Sequence, residues 1–312
     1  MHFVGYAGLA AAVANAGGLG FITALTQPTP EALAAEIDKA KKLVKPNAAG
    51  KLGVNLTILP MFSKVDYGAY VDVICSSGLT AVETAGRPPG EYVKKFQSAG
   101  MVVVHKCVSV RHALSAVSKS GVDAISLDGF ECGGHPGEED TGNFILQAQG
   151  GKILVPAGIP FLCSGGVGTG RQLAAALMLG AGGVNLGTRF IATKEAPVHD
   201  NIKQAMVEAG TGATELVMRS VRNTERVFKN KTSGQVRALE AQFPGDFSKI
   251  HSLVKGENYR KSFQETGDVD SSVWSCGDVV ALIDDVPTVQ ELIDTMVLEA
   301  ETELRKAQTY IV

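Results

Sequence analysis

Two glycine-rich bends and one histidine loop carry most of the chemistry open to this sequence. The first bend lies in Phe161-Leu-Cys-Ser-Gly-Gly-Val-Gly-Thr-Gly170, where a short apolar run ends in glycines and a helical pattern opens at Arg171. Glycines let backbone N–H groups approach an anion closely, and a helix N-terminus adds the positive end of its dipole. One unit later, Gly183-Val-Asn-Leu-Gly-Thr-Arg189 again runs from apolar residues into Gly187-Thr188. Two successive glycine bends after the last two strands form the phosphate site usual in a (β/α)8 barrel. A Rossmann dinucleotide site is the rival, and it wants an acidic residue near the end of the next strand for a ribose. That strand ends in Asn185-Leu-Gly-Thr with no acid until Glu195, so the barrel phosphate site, Ser164-Gly165-Gly166 with Gly187-Thr188, is preferred. Glycines that serve backbone geometry alone are the plainer alternative.

The histidine loop, Gly129-Phe-Glu-Cys-Gly-Gly-His-Pro-Gly-Glu138, follows the strand pattern Ala124–Asp128. Glycines crowd around one histidine, so this loop is not built to fill a core. It would hold His135 above a barrel mouth, where an imidazole can take or hold a proton; a histidine that merely packs the loop is the bland alternative. Lys106 ends a strand in His105-Lys106-Cys107 and points into such a site, where it could balance a phosphate, or else snorkels to solvent. Asn55 in Gly53-Val-Asn-Leu-Thr57 sits similarly and could hydrogen-bond a ring edge. Cys107, Cys132 and Cys163 also lie near strand ends; a nucleophilic thiol is one reading, but small buried hydrophobes are commoner.

The elements that must position these residues alternate regularly. Candidate strands are Leu19–Thr23, Leu52–Leu56, Ala81–Thr84, Val102–Lys106, Ala124–Asp128, Phe161–Ser164 and Gly183–Leu186, with helical patterns such as Pro30–Leu43, Tyr67–Ser76, Gly90–Ser98, Val110–Ser118 and Arg171–Leu179 between them. Thr29 before Pro30 is a good cap, and Gly100 stops a helix before the β-branched run Val102-Val103-Val104. Seven strand–helix units predict a parallel α/β architecture, either an open sheet or a TIM (β/α)8 barrel. Met1–Val4, as the tail of a first strand, would complete the eight. Asn55, Lys106, Asp128, Ser164 and Gly187 follow the C-terminal ends of many strands, as a barrel requires and an open sheet does not.

The rhythm stops after Phe190. Residues 1–202 read as the barrel, 203–275 as a small, mostly helical second domain, and 276–312 as helices returning to the barrel. Arg219, Arg222, Arg226, Lys229 and Lys231 recur at a spacing that marks one helix face, either solvated or attracting an anionic cosubstrate.

Composition narrows the class. The 312 residues are 45% hydrophobic, enough for a large core, and the net charge of −3 with no basic block gives nucleic-acid binding little support. Five cysteines, none close together, fit neither a disulfide scaffold nor a zinc site; a reducing cytoplasm and no metal are expected. No 18-residue apolar run predicts a membrane span, and the first 20 residues lack the basic start of a signal peptide.

Taken together, Ala14-Asn-Ala-Gly-Gly-Leu19, Gly53-Val-Asn-Leu-Thr57, His105-Lys-Cys107, the long loop Asp128–Glu138, Ser164-Gly-Gly166, Met218-Arg-Ser-Val-Arg-Asn-Thr224 and Gly187-Thr-Arg-Phe190 resemble the nitronate monooxygenase family, formerly called 2-nitropropane dioxygenases. The resemblance implies an FMN-containing barrel with a smaller helical domain over its mouth. It implies FMN contacts from Asn55, Lys106, Gly133, Ser164, Gly165, Gly166, Gly187 and Thr188, and His135 as the catalytic histidine. The reaction so implied oxidises an alkyl nitronate with oxygen to a carbonyl compound and nitrite. The loop is also similar to that of NAD(P)H:quinone reductases on the same barrel, and to that of an FMN-dependent enoyl-acyl-carrier-protein reductase, branches that would use NAD(P)H as cosubstrate. A homodimer is the family expectation. Family members usually begin with a strand reading roughly Pro-Ile-x-Gln-Gly-x-Met. This chain begins at what looks like that motif's final Met, so Met1 is expected beside the flavin and most of strand one is expected to be missing.

Overall fold

The apolar runs pair in parallel, and their order in the sheet is their order in the chain. The computed structural model describes residues 1–58 and 65–311. Its main sheet holds β1 (Leu19–Thr23), β2 (Lys51–Ile58), β3 (Ala81–Gly86), β4 (Val102–Cys107), β5 (Ala124–Asp128), β6 (Phe161–Ser164) and β7 (Val184–Asn185). Helices α1 (Ala7–Asn15), α2 (Pro30–Leu43), α3 (Tyr67–Ser76), α4 (Tyr92–Ser98), α5 (Val110–Ser115), α6 (Asn143–Ile153) and α7 (Gly170–Met178) precede or connect these strands. Local chemistry explains several boundaries. The Thr29 hydroxyl accepts from the Ala32 amide at 3.2 Å to start α2, and Gly100 takes φ +78° to end α4. The strand expected at Gly183–Leu186 is reduced to two paired residues, and the helix expected over Val110–Ser118 breaks into a π-turn at Ala116–Ser120.

One bond shows that the sheet curls. Asn185 on β7 donates from Nδ2 to Glu83 Oε1 on β3 at 2.6 Å and to Ser126 Oγ on β5 at 3.0 Å. In a flat sheet, strands four places apart would be separated by about 19 Å. Only a barrel-like closure brings them together, with the ends of the strands around one mouth. Met1–Val4 forms a turn, not the tail of a strand. The Gly5 carbonyl takes the Thr23 amide at 2.8 Å and the Met1 carbonyl takes the Thr23 hydroxyl at 3.0 Å, so the rim end of β1 is satisfied without an eighth strand among the described residues.

After β7 come α8 (Thr188–Ile191) and α9 (Asp200–Val207), then a feature absent from the expected mostly helical segment: an antiparallel ribbon of β8 (Thr214–Val217) and β9 (Glu225–Phe228). Helices α10 (Lys231–Gln242), α11 (Phe247–Ile250) and α12 (Gly256–Lys261) follow it, and α13 (Val289–Gln308) packs against α7 and α1, the helices flanking the two ends of the sheet. The expected single cationic helix face does not form. Arg219 lies in a 3₁₀ turn and pairs with Asp140, Arg226 is buried on β9, and Lys231 pairs with Asp270 at the start of α10. One apolar cluster fills the barrel wall, a second joins α8, α9, Phe263, Trp274 and α13, and a third lies under the ribbon. Among the described residues no helix is long and apolar enough to cross a membrane.

Candidate functional site

A cavity of about 520 Å³ opens at the mouth formed by the strand ends, within the range of about 300–1,000 Å³ usual for small-ligand sites. All ten residues singled out from the sequence line it: Met1, Asn55, Lys106, Gly133, His135, Ser164, Gly165, Gly166, Gly187 and Thr188. Apart from Met1, in the N-terminal turn, they come from five strands or the loops after them, and together they span nearly 190 positions of sequence.

The floor is a polar network inside the curled sheet. Asn55 donates from Nδ2 to Glu83 Oε2 at 2.6 Å, while Asn185 donates to the other Glu83 oxygen, so one buried carboxylate orients two carboxamides. Lys106 Nζ stands 3.5 Å from Asp128 Oδ2. Burial works against the Lys106 ammonium, but the Asp128 and Glu83 carboxylates outweigh it and hold its pKa above the ordinary lysine value, so it stays charged. Burial raises Asp128, opposed by Lys106 and the Ser164 hydroxyl. Asp128 Oδ1 is buried with no hydrogen-bond partner among the described residues, an acceptor available to a ligand donor. Glu83 and Asn185 were not anticipated. The one signal was a carboxylate inside the apolar run Ala81–Ala85.

The rim on the β6–β7 side offers donors. The amides of Gly165, Gly166 and Gly187 donate to no acceptor among the described residues. Gly165 and Gly166 have φ of +85° and +75°, and a Cβ at either would press into the neighbouring histidine loop: 2.8 Å from the Gly129 backbone and 2.8 Å from the Glu131 Cβ respectively. Glycine is therefore required here by backbone conformation and loop contact, and the adjacent free amides are what an anion could use. The expected help from the α7 N-terminus is reduced. Gln172 Oε1 takes the Gly168 and Thr169 amides, and Glu299 Oε2 takes the Gly170 amide at 2.7 Å. The cavity thus presents free amides on its β6–β7 rim and, on its floor, a charged lysine beside an unpaired carboxylate oxygen.

The histidine loop is held from both sides. On the barrel side, the Glu131 carboxylate takes the Asn143 amide at 2.8 Å, and Asn143 Nδ2 donates to the Gly165 carbonyl. Gly133 packs so closely on the 276–277 backbone that a Cβ would lie 2.7 Å from the Gly277 amide nitrogen, which in turn donates to Thr188 Oγ1 at 2.9 Å. On the ribbon side, Gly134 and Arg226 exchange backbone hydrogen bonds at 3.0 and 2.7 Å, and Glu138 takes the Thr224 amide and hydroxyl at 3.0 and 2.7 Å. The Arg226 guanidinium donates from Nε to the Phe130 carbonyl at 3.2 Å, lies over the Phe130 ring, and donates from Nη1 to Asp278 at 3.1 Å. Amid this bonding, His135 is exposed to the cavity and its ring makes no hydrogen bond among the described residues. It is free to meet a ligand. Burial pushes Cys107 up to about 12 and Cys163 to about 11, and raises Cys132 as well; such thiols stay protonated, which favours the reading of small buried hydrophobes.

Residues 46–299 match the family model for nitronate monooxygenase. Relatives from Mycobacterium tuberculosis and Rhodococcus jostii, both described as (3aS,4S,5R,7aS)-5-hydroxy-7a-methyl-1-oxo-octahydro-1H-indene-4-carboxyl-CoA dehydrogenase, are 31% and 32% identical. The alignments cover 100% and 94% of this chain and 94% and 88% of those proteins. Among solved structures, FabK from Thermotoga maritima superposes with a TM-score of 0.86 at 27% identity, covering 100% of this chain and 94% of that one.

Proposed function

The chain belongs to the nitronate monooxygenase family, a family of oxidoreductases acting on small molecules, and from that premise we propose that it is an FMN-dependent enzyme that oxidises alkyl nitronates with oxygen to a carbonyl compound and nitrite. In this reading Gly165, Gly166, Gly187 and Thr188 hold the FMN phosphate, Ser164 and Gly133 line its approach, and Asn55, Lys106 and Met1 face the ring. Bound FMN would take the electrons of the substrate and pass them to oxygen. His135 holds the anionic nitronate and takes the α-proton when a neutral nitroalkane enters. Residues 203–275 act as a lid whose ribbon fixes the height of that imidazole. The single observation that carries the reading is the meeting, in one cavity, of three backbone amides with an imidazole on a loop braced from both sides, all four without a partner among the described residues.

The test is direct. Purified protein should carry the visible bands of oxidised flavin and, given ethylnitronate in air, should consume oxygen and release nitrite without NADH. Flavin-loaded protein that does neither overturns the reaction. The whole-chain likeness to carboxyl-CoA dehydrogenases favours a second reading on the same cavity, dehydrogenation of an acyl thioester. Anaerobic bleaching of the flavin by an acyl-CoA, with none by nitronate, would select it.

A further inference from the structure

Residues 203–275 bring two hydroxyls to the cavity, those of Tyr259 and Ser275, and one has no partner among the described residues. Tyr259, on α12, lines the same cavity as His135. Its ring is fixed edge-on against Phe263 at 4.5 Å and Phe3 at 5.7 Å, and Phe263 is fully buried. Its hydroxyl makes no hydrogen bond among the described residues. A tyrosine packed this way ordinarily gives its O–H to a protein acceptor. The neighbouring cavity-lining hydroxyl, Ser275, does so, donating to Glu225 Oε1 at 2.6 Å. Burial, then the charges of Glu225 and Cys276, raise the Tyr259 phenol above its ordinary value, so it remains a donor.

Charge limits what this donor could meet. Among the described residues Lys106 is the only lining side chain with a fixed positive charge, and it stands against Asp128. The Arg226 charge nearby is taken by Asp278. Among the described residues, what faces a substrate anion on the lid side is a neutral donor and an imidazole, which suits a small anion whose charge is spread over two oxygens.

We propose that Tyr259 is a substrate-contacting hydrogen-bond donor, gripping from the lid the oxygens of a small planar oxyanion whose other side meets His135. The proposal deepens the function above and rests on its assignment of the cavity. Tyr259→Phe keeps the ring that Phe3 and Phe263 pack against and removes only the donor. The probe is propanoate, a two-oxygen isostere of ethylnitronate that cannot react, titrated calorimetrically into the purified flavoprotein at neutral pH. The variant should bind it about 10- to 100-fold more weakly, the loss typical of a hydrogen bond to a charged group. Its flavin content and spectrum should be unchanged. Equal affinities in the two proteins, or no propanoate binding by the wild type, would overturn the proposal. Oxidation of ethylnitronate, measured separately, tests the function: wild type that binds propanoate through Tyr259 yet releases no nitrite leaves this contact standing and removes the reaction.

Discussion

The two loops that meet at the cavity are held differently, the glycine bend by its own left-handed backbone and the histidine loop by bonds to elements on either side. The glycine bend at 164–167 leaves the amides of Gly165 and Gly166 without acceptors. The histidine loop is tied to its neighbours at both ends and in its middle: Phe130 N–H to the Thr141 carbonyl at 3.0 Å, Cys132 N–H to the Gly129 carbonyl at 3.0 Å, Gly134 to Arg226, and Glu138 to Thr224. Unpaired donors at a cavity wall are costly without a ligand and so mark a binding surface; a segment tied to elements on both sides marks a mount. The contrast locates the chemistry where the two meet: free amides on the bend, and on the mount the imidazole of His135 facing the cavity.

The largest expected effect removes that imidazole. His135→Asn should retain flavin and the loop's bonds while lowering turnover of ethylnitronate about 10²–10⁴-fold, the usual contribution of a positioned general base. An unchanged rate would make His135 part of the mount. His105 sharpens the contrast because it is the paired counterpart, buried and bonded through Nδ1 to the Thr84 hydroxyl at 2.9 Å. Burial lowers its pKa from 6.5 to about 4. The unfolded chain takes up a proton near 6.5 and the native one does not until about 4. Stability is therefore complete above that window and falls as pH drops through it, by about 3 kcal/mol. Urea midpoints between pH 7 and pH 4 measure it, and a flatter profile in His105→Gln assigns it (both pH values bracketing the window, about 6.5 to 4).

A third change loosens the mount. Arg226→Lys keeps the charge near Asp278 but loses the fork that reaches the Phe130 carbonyl, and should lower stability by about 1.5–3 kcal/mol. Flavin should stay bound while kcat for ethylnitronate drops several-fold. An unaltered kcat would show that the ribbon does not set the imidazole. The smallest effect is on the bend itself. Gly166→Ala forces a side chain into φ +75° and against Glu131, costing about 1–2 kcal/mol. Flavin that survives gel filtration at full stoichiometry in this variant would separate the bend's shape from its grip.

Much of the barrel was legible because its signals are local. β-branched runs, the Thr29 cap and the Gly100 stop each depend on a few neighbouring residues, and the corresponding elements form where expected. The histidine loop and both bends stood out for the same reason. What escaped depends on distance. Glu83 meets Asn185 across 102 positions, and no spacing rule links a carboxylate in one apolar strand to a carboxamide in another. The ribbon escaped because its strands are four residues each and joined through Met218 and Arg222 in left-handed conformations, which ordinary side chains rarely adopt. The same segment's cations recur at helical spacing, so the local pattern pointed to a helix that tertiary pairing with Asp140 and Asp278 overrides. Tyr259 carried no local signal.

The carboxylate of Glu299 on α13 reaches back to the Gly170 amide, and Arg171 pairs with both Glu299 and Glu303. The start of α7, and with it the turn that leads into it, is thus moored to the far end of the chain. A protease nick just ahead of residue 299 would spare every residue lining the mouth, yet it would slip this mooring; a clipped preparation should lose its yellow colour before it loses its fold.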